Sequence, residues 1–249
     1  MKKKEQLIYG IHPVMEALEA GKPLDKVMIQ RGLRHETLQK VLRHLKKFNT
    51  PFQFVPKTKL DRTTGKNHQG LIAFLSPVEY QDLQWLLPSI FEKGETPLLL
   101  ILDRVTDIRN FGAICRSAEC AGVHAIIVPE KGSAQINADA IKTSAGALLR
   151  VPICRVKSLV NTLKYLADSG IKSCAVHEKA KTPYYQQDLS IPLAIVMGSE
   201  EDGISDKVLI ETQLSVVIPM KGETESLNVS VSTAIILFET LRQRVNVKF

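Results

Sequence analysis

Short apolar runs alternate with segments of helical periodicity along the greater part of the chain. From residue 98 onward six apolar runs each predict a buried strand: residues 98–102, 123–128, 151–156, 171–176, 193–197 and 214–218. Apolar residues at helical spacing lie between these runs, and a long helix is predicted to begin near residue 228. Continuously apolar strands that alternate with helices are typical of a mostly parallel sheet covered on both faces. We therefore predict an α/β domain over residues 98–249.

The first 75 residues predict a smaller α/β unit. Helical spacing marks residues 14–20 and 38–45, whereas strand-like runs occupy residues 26–29, 51–55 and 70–75. Residues 76–97 are punctuated by Pro77, Pro88 and Pro97 and are interpreted as a linker between the two domains. The only tryptophan, Trp85, lies in an apolar patch of this linker and is predicted to anchor it by packing.

Positive charge is concentrated at the beginning of the chain. Residues 1–70 contain 15 Lys/Arg and 6 Asp/Glu, a net charge of +9, and the remaining residues carry −2. Lys and Arg gain affinity for polyanions by displacing counterions from phosphates, so this asymmetry favours a nucleic-acid-binding unit. The candidate contacts lie on or beside the second predicted helix and in a polar loop before the last strand: Arg34, Lys40, Arg43, Lys46, Lys47, Arg62 and Lys66.

Composition excludes several other classes of protein. No apolar run approaches the roughly 18 residues that a transmembrane helix needs. The Lys-rich start is not followed by the apolar core of a signal peptide, so a cytoplasmic protein is predicted. The four cysteines form no Cys-x-x-Cys pair and have no histidine nearby at ligand spacing. They are predicted to be buried small hydrophobes, and no metal site is expected.

Neither of the two common phosphate-binding loops is present. A dinucleotide-binding domain should show Gly-x-Gly-x-x-Gly after its first strand, but residues 104–110 of this chain read Arg-Val-Thr-Asp-Ile-Arg-Asn. The Gly-x-x-x-x-Gly-Lys-Ser/Thr sequence is also absent. Glycines instead follow a late strand at Gly198 and Gly203, where a loop backbone could approach a ligand closely.

Three polar segments follow predicted strands and are expected to meet, because open α/β sheets bind ligands beyond the carboxyl ends of their strands. Residues 110–116 read Asn-Phe-Gly-Ala-Ile-Cys-Arg, residues 197–203 read Met-Gly-Ser-Glu-Glu-Asp-Gly, and residues 218–230 contain Ile-Pro-Met and Ser-Leu-Asn-Val-Ser. In this order and spacing they resemble the three motifs of the SpoU/TrmH family of RNA 2′-O-ribose methyltransferases. Residues 8–14, with Gln69-Gly70, are similar to the substrate-binding domain of family members that act on 23S ribosomal RNA.

The resemblance implies a SPOUT fold whose C-terminal third forms a trefoil knot, with S-adenosyl-L-methionine bound among the knot loops. It also implies a homodimer with a shared active site and, as substrate, a guanosine of 23S ribosomal RNA. The cofactor contacts that it implies are Met197, Gly198, Ser199, Ile218, Met220, Leu227 and Val229. One position departs from the family pattern, because Glu201 stands where the family usually has glycine.

Methyl transfer to a ribose 2′-hydroxyl requires a proton acceptor, a stabiliser of the developing alkoxide and anchors for the flanking phosphates. The candidate catalytic residues are Asn110, Arg116, Glu200, Ser226 and Asn228. A guanidinium normally stays protonated, so Arg116 is interpreted as a clamp for phosphate and oxyanion. Glu200 either orients Arg116 or accepts the proton. Asn110 and Asn228 each precede a helical pattern, so helix capping is an additional role for both.

The predicted final helix is apolar on more than one side. Val231, Ile235, Phe238 and Leu241 form one stripe, which Ile236 and Leu237 widen. Such a helix needs two surfaces to cover it, so we predict a dimer through this helix and the first motif. Two other functions stay open at this point: a transfer-RNA ribose methyltransferase, and a non-catalytic RNA-binding module of the same fold.

Overall fold

The structure is a computed structural model that describes residues 7–48, 50–223 and 226–245. The chain divides into two compact units between residues 79 and 80, with the residues before this point in the first unit and most of those after it in the second. Within the described ranges, no helix is both long and apolar enough to cross a membrane.

The first unit is a four-stranded sheet with three helices. In chain order its elements are β1 (Leu7–Tyr9), α1 (Ile11–Glu19), β2 (Leu24–Gln30), α2 (Leu38–Lys47), β3 (Phe52–Val55), α3 (Lys57–Thr63) and β4 (Leu71–Leu75). The strand order is β1-β4-β2-β3, in which β2 and β3 are parallel and the other pairs antiparallel. Helices α1 and α2 cover one face of the sheet through Val14, Leu18, Val41 and Leu45. On the other face Leu60 of α3 packs against Met28, Val55 and Ile72.

The helices and strands predicted for this unit are confirmed, but β1 and α3 were not predicted. Residues 57–63 contain one apolar residue, Leu60, so they show no amphipathic period even though that leucine is fully buried. As a consequence Arg62 lies in the last turn of α3, whereas the sequence placed it in a loop; Lys66 does lie in the loop before β4.

The second unit is built on a seven-stranded parallel sheet. Its elements are β5 (Tyr80–Gln81), α4 (Leu83–Glu92), β6 (Leu98–Leu102), α5 (Ile108–Cys120), β7 (Ala125–Pro129), α6 (Ala138–Thr143), β8 (Ile153–Val156), α7 (Leu159–Asp168), β9 (Lys172–Val176), β10 (Leu193–Met197), α8 (Asp206–Ile210), β11 (Leu214–Val216) and α9 (Val229–Arg244). The strand order is β11-β9-β10-β6-β7-β8-β5, and every neighbouring pair is parallel. All six strands predicted from apolar runs are confirmed, as is the mostly parallel α/β class.

Both faces of this sheet are covered. Leu99 and Ile101 of β6 belong to a core cluster that also takes buried side chains from α4, α7 and α8. The alternate residues Leu98, Leu100 and Leu102 are equally buried. None of the buried side chains of α5 and α9 belongs to that cluster, and these two helices pack against each other. Central strands buried on both faces explain why β6 and β10 are continuous apolar runs.

Most of the segment predicted as a linker, from residue 80 onward, is instead part of the second unit. β5 pairs with β8, and α4 buries Leu83, Leu87 and Ile90 in the core cluster. The prolines that suggested a linker are compatible with this helix, since Pro88 lies inside it. Trp85 is 82% exposed, so the prediction that it anchors the segment was wrong. The leucines and the isoleucine on the opposite side of α4 do so.

Three of the four cysteines are buried, as predicted, but Cys120 is exposed at the end of α5. Burial raises the pKa of the thiols of Cys154 and Cys174 to about 12, and it also raises that of Cys115. All four thiols are free. The buried ones are therefore uncharged packing groups in the physiological pH range.

An arginine at the end of α9 binds backbone carbonyls at the amino edge of the sheet. Arg244 donates from Nη1 to the carbonyl of Thr96 at 2.8 Å, and from Nη2 to the carbonyls of Pro97 at 2.9 Å and Ile191 at 2.6 Å. These residues lie immediately before β6 and β10. Burial lowers the pKa of this guanidinium, whose hydrogen-bond partners among the described residues are all backbone carbonyls.

Candidate active site

The three motifs meet at the carboxyl edge of the parallel sheet. β6 and β10 are neighbours in register, with Leu102 opposite Met197, so the loops that follow them emerge side by side. The amide of Asp103 donates to the carbonyl of Met197 at 2.8 Å, which continues the pairing one residue beyond β6. The chain then enters α5, which carries the first motif, while the segment after β11 leads to Asn228 at the start of α9.

The side chain of Asn228 joins all three motifs. Its Nδ2 donates to Asn110 Oδ1 at 3.1 Å and also to Glu200 Oε1. Its Oδ1 accepts from the amide of Ser230 at 2.9 Å and from the Ser230 hydroxyl. Both amide hydrogens and the carbonyl oxygen of Asn228 are thus engaged, which fixes the orientation of the side chain. Three of the five predicted catalytic residues therefore form one hydrogen-bonded array.

The two asparagines differ in whether they cap a helix. Asn228 is the N-cap of α9, as predicted. At α5 the cap is Asp107, whose Oδ1 accepts from the amides of Arg109 at 2.8 Å and Asn110 at 2.9 Å. The capping role predicted for Asn110 is therefore wrong, because the carboxylate three residues earlier already satisfies the first amides. This leaves the side chain of Asn110 available to Asn228.

Two motif glycines are required by packing within the chain. A Cβ on Gly112 would lie 2.6 Å from Cβ of Thr143, so glycine allows α5 to approach α6. A Cβ on Gly198 would lie 2.1 Å from the carbonyl carbon of Gly203 and 2.2 Å from the amide nitrogen of Ile204. The chain that leaves β10 therefore turns back against its own backbone. This close approach accounts for Gly198 before any ligand is considered.

The loop at residues 198–203, which we call the motif-two loop, is held by its own backbone. Ser199 and Gly203 exchange two backbone hydrogen bonds of 3.0 and 3.1 Å, and the Ser199 hydroxyl accepts from the amide of Asp202 at 3.1 Å. Gly203 adopts a left-handed conformation with φ of 64°. Glu201 is exposed and has no positive φ, so the loop does not need glycine at that position. The departure from the family pattern is accommodated.

Two residues immediately after β6 contact this loop or the residues directly after it, and sequence patterns gave little indication of their partners. Asp103 is 4% exposed, and its Oδ2 accepts from the amide of Ser205 at 2.7 Å. Arg104 donates to Asp202 Oδ2 at 3.0 Å and to the carbonyl of Gly203 at 3.1 Å. The only local signal was a charged pair directly after a fully apolar strand.

The remaining catalytic candidates are not part of the hydrogen-bonded array. Arg116 is exposed and, among the described residues, makes no hydrogen bond or ion pair. It lies six residues beyond Asn110 on α5, which corresponds to about 240° around the helix axis. Ser226 is also exposed, two residues before Asn228. The expectation that Glu200 orients Arg116 does not hold within one chain, since Glu200 is bound by Asn228 instead.

The residues implied for S-adenosylmethionine differ in availability. The side chains of Met197 and Val229 are buried, and the backbone of Ser199 is used by Gly203. Met220 and Leu227, in contrast, are 40% and 37% exposed, and Ile218 is half-buried. Backbone groups of residues 220–222 and 227 have no hydrogen-bond partner among the described residues. Exposed apolar side chains beside unpaired backbone donors and acceptors fit a ligand with apolar ring faces and polar edges, such as an adenine.

The predicted RNA contacts lie on the surface of the first unit. Lys40, Arg43 and Lys47 are exposed at helical spacing and form one stripe on α2, which we call the α2 stripe. Arg34, Lys46, Arg62 and Lys66 are exposed as well. Lys47 Nζ lies 5.3 Å from the ring centre of Phe48, an exposed aromatic residue directly after α2. The His68 side chain, in contrast, is buried and hydrogen-bonds to Asp61 at 2.8 Å and to the amide of Gly70 at 2.9 Å.

Comparison with known proteins shows the family to which the chain belongs. Residues 97–238 match the model of the SpoU rRNA Methylase family, and residues 7–81 match the model described as RNA 2′-O ribose methyltransferase substrate binding. The chain belongs to the SpoU family of RNA methyltransferases. It is therefore an RNA methyltransferase whose methyl donor is S-adenosylmethionine, as the sequence predicted.

Individual relatives match along nearly their whole length. The 23S rRNA (guanosine-2′-O-)-methyltransferase RlmB of Photorhabdus laumondii is 40% identical over 242 residues, covering 96% of this chain and 98% of that protein. A TrmH family tRNA/rRNA methyltransferase of Staphylococcus aureus is 35% identical over 244 residues, with 98% of each chain covered. The AviRb methyltransferase of Streptomyces viridochromogenes, crystallised with S-adenosylmethionine, has the same fold, with a TM-score of 0.61 at 24% identity over 96% of this chain and 90% of that one.

Replacing Gly198 by alanine should destabilise the second unit, because the new Cβ would overlap backbone atoms of Gly203 and Ile204 that cannot swing aside. Overpacking of this kind typically costs about 1–3 kcal/mol. Denaturant unfolding of the full chain measures the change. The matched control is Gly222→Ala, where a Cβ would meet no atom within 4 Å. Equal stability of the two variants would contradict the close approach at Gly198.

Proposed function

We propose that this SpoU family member methylates the ribose 2′-hydroxyl of a guanosine in 23S ribosomal RNA. The observation that carries the chemistry is the array in which Asn228 holds Asn110 and Glu200 at the carboxyl edge of the sheet. The choice of ribosomal RNA is supported by the 40% identity to a protein named as a 23S rRNA guanosine methyltransferase, which extends through the substrate-binding domain. Acting on ribosomal RNA, the protein would work in the cytoplasm.

Glu200 is assigned as the proton acceptor. Its Oε1 is bound by Asn228, whereas its Oε2 has no partner among the described residues and is exposed to an incoming hydroxyl. A carboxylate held through one oxygen can accept a proton at the other without reorganising. Asn110, which is bound by the same Asn228 side chain, and Ser226, two residues before Asn228, are assigned to hold the ribose. S-adenosylmethionine supplies the electrophilic methyl group when bound.

The S-adenosylmethionine site is assigned to apolar side chains and backbone groups of the second and third motifs. Ile218, Met220 and Leu227 offer the exposed or half-buried apolar surface. Gly198 and Ser199 begin the motif-two loop, whose Glu200 is bound by Asn228, the residue after Leu227. Met197 and Val229 contribute through the backbone, because their side chains are buried. The trefoil knot that the family resemblance implies is part of this proposal. It is compatible with a sheet in which β10 lies between β6 and β9 and β11 returns to the far side of β9.

Arg116 is assigned to the RNA phosphate and to the alkoxide that develops on the 2′-oxygen. A guanidinium that forms no ion pair within the described part of its own chain is available for an external anion. Because it points away from Asn110 on α5, it would serve the active site of a second protomer more readily than its own. The active site would then be completed by dimerisation.

The proposed dimer interface involves the outer faces of α5 and α9, which pack side by side. The inner face of α9 is buried through Thr233, Ile236 and Leu237. On its outer face Val231 and Phe238 are 47% and 49% exposed. The apolar stripe of α9 lies beside α5, which carries Arg116. We expect this surface to pack against a second copy of the chain.

The main competing substrate is transfer RNA, since the S. aureus relative is named for both RNA types. A non-catalytic RNA-binding role is disfavoured by the intact array of Asn110, Glu200 and Asn228. Mapping ribose methylation in all RNAs of a deletion strain separates these functions. Loss of one methyl group from 23S ribosomal RNA is the expected result. Loss from a transfer RNA would replace the proposed substrate, and unchanged methylation would favour the binding module.

Arg116→Ala should lower the single-turnover rate of methyl transfer by about 10²–10³, the usual effect of losing one oxyanion-stabilising contact. Arg116→Lys should restore little of the rate, because an ammonium lacks the planar fork of donors. The measurement uses labelled methyl donor with RNA and donor both saturating. The control is Lys164→Ala, which removes a cation from α7. This helix lies on the face of the sheet opposite to α5 and α9. A near-normal rate in Arg116→Ala would remove Arg116 from the proposed mechanism.

Simultaneous alanine substitution of Lys40, Arg43 and Lys47 should weaken RNA binding without changing affinity for S-adenosylmethionine. If each residue of the α2 stripe contacts one phosphate of a single-stranded region, the slope of log K against log salt should fall in magnitude by about 2. Filter binding at several salt concentrations gives the slope. An unchanged slope in a folded triple variant would show that RNA does not contact the α2 stripe.

The Phe238→Asp substitution should convert a dimer into a monomer, since it places a charge within the apolar stripe of α9. Sedimentation at micromolar concentration measures the mass directly. Ile210→Asp is the matched control: Ile210 is 80% exposed but lies on α8, in the other helical layer, and this variant should stay dimeric. A monomeric unsubstituted protein would contradict the proposed interface.

A further inference from the structure

Arg104 adopts a backbone conformation that favours glycine. Its φ is 62°, and only Gln69 and Ala145 share a positive φ among the non-glycine residues that the structure describes. In the left-handed region a Cβ crowds the backbone, whereas glycine has no such penalty. An arginine at this position is therefore strained unless its side chain forms compensating contacts.

The contacts of Arg104 are all directed at the motif-two loop and at its own neighbour. Nη1 donates to Asp202 Oδ2 at 3.0 Å, Nη2 donates to the Gly203 carbonyl at 3.1 Å, and Nε lies 3.7 Å from Asp103 Oδ1. Asp103, buried beside it, accepts from the amide of Ser205. Two consecutive residues thus bind the far end of the loop at Asp202 and Gly203 and the chain directly beyond it at Ser205. We call this pair the Asp103–Arg104 strap.

The charge of the motif-two loop opposes its folded shape. Glu200, Glu201 and Asp202 are consecutive carboxylates at its tip, and like charges so close repel one another. Among the described residues, Arg104 is the one cation within ion-pair distance of any of the three. The backbone bonds between Ser199 and Gly203 close the loop at its base, but they do not reach across to β6. Among the described residues, the strap supplies the side-chain contacts that connect this end of the loop to the segment directly after β6.

We propose that Arg104 is a positioning residue that holds the motif-two loop in the shape that binds S-adenosylmethionine, and so sets the affinity for the methyl donor. The inference rests on the proposed function, in which this loop lies against the donor. A loop that is already in its bound shape loses less conformational freedom when the ligand arrives, and the gain appears as affinity. If the loop samples other shapes, the apparent dissociation constant rises in proportion to the fraction lost. Arg104 itself need not touch the donor.

Isothermal titration of the full chain with S-adenosylmethionine tests this inference. Arg104→Met keeps the length of the side chain but removes both donors, and we expect the dissociation constant to rise by about tenfold, as when one loop shape in ten stays competent. Asp202→Asn should have a smaller effect in the same direction. The double variant should be less than additive, because both substitutions break one contact. Arg104→Lys keeps the ion pair with Asp202 but not the second bond, and it should fall between the unsubstituted protein and Arg104→Met.

Glycine at position 104 separates positioning from stability. Arg104→Gly removes the side-chain contacts of Arg104 and also relieves the backbone strain, whereas Arg104→Ala removes the same contacts and keeps the strain. We expect the glycine variant to have the higher thermal unfolding midpoint of the two and both to bind S-adenosylmethionine about tenfold more weakly than the unsubstituted protein. In steady-state assays the KM for the donor should rise while kcat at saturating donor changes little. The control is Lys131→Ala, an exposed cation in the loop after β7.

The possible outcomes distinguish this inference from the proposed function. Unchanged donor affinity in Arg104→Met and Arg104→Gly would overturn the positioning role and leave Arg104 as a surface contact. Weakened affinity that follows the unfolding midpoint across the variants, so that Arg104→Gly binds better than Arg104→Ala, would also overturn it. An unsubstituted protein that fails to bind S-adenosylmethionine would overturn the proposed function itself, together with this inference.

Discussion

The parallel direction of the strands in the second sheet is the constraint on which the site depends. Residues 110, 200 and 228 are far apart in sequence, but the strands that precede them end at one edge of the sheet. Because β6 and β10 are adjacent and in register, their loops need no long excursion to meet. One asparagine side chain then suffices to join three segments. An antiparallel neighbour at β10 would have sent the motif-two loop to the opposite edge.

Close packing explains features of the motifs that resemble ligand-binding signatures. Gly112 and Gly198 are glycines because α6 and the returning backbone, respectively, occupy the space of a side chain. These two glycines therefore indicate close packing at the carboxyl edge of the sheet. The ligand is recognised by other groups, which remain exposed at this edge. Met220 and Leu227 are examples, since 40% and 37% of their surface is exposed.

Sequence patterns predicted the core well and the polar contacts poorly, for a physical reason in each case. Strands such as β6 and β10 are apolar on both faces, so composition alone defined them. Helix α3 was not predicted because it buries a single leucine, and α4 was not predicted because the prolines in and around it suggested a linker. The family motifs located Asn110, Glu200 and Asn228, but no local pattern could pair Arg104 with Asp202, 98 residues away. Such pairs depend on which strands become neighbours.

The contacts of Arg244 have a consequence for how the protein is made. This residue belongs to the last described helix, yet it binds carbonyls immediately before β6 and β10, the two central strands. During synthesis the first unit, whose sheet and helices are complete by residue 75, can fold as soon as it leaves the ribosome. The carbonyls of Thr96 and Ile191 gain the Arg244 donors only after α9 has been synthesised, so the amino ends of β6 and β10 receive these contacts last. The unit that matches the substrate-binding model is therefore complete in sequence well before the unit that matches the SpoU methylase model.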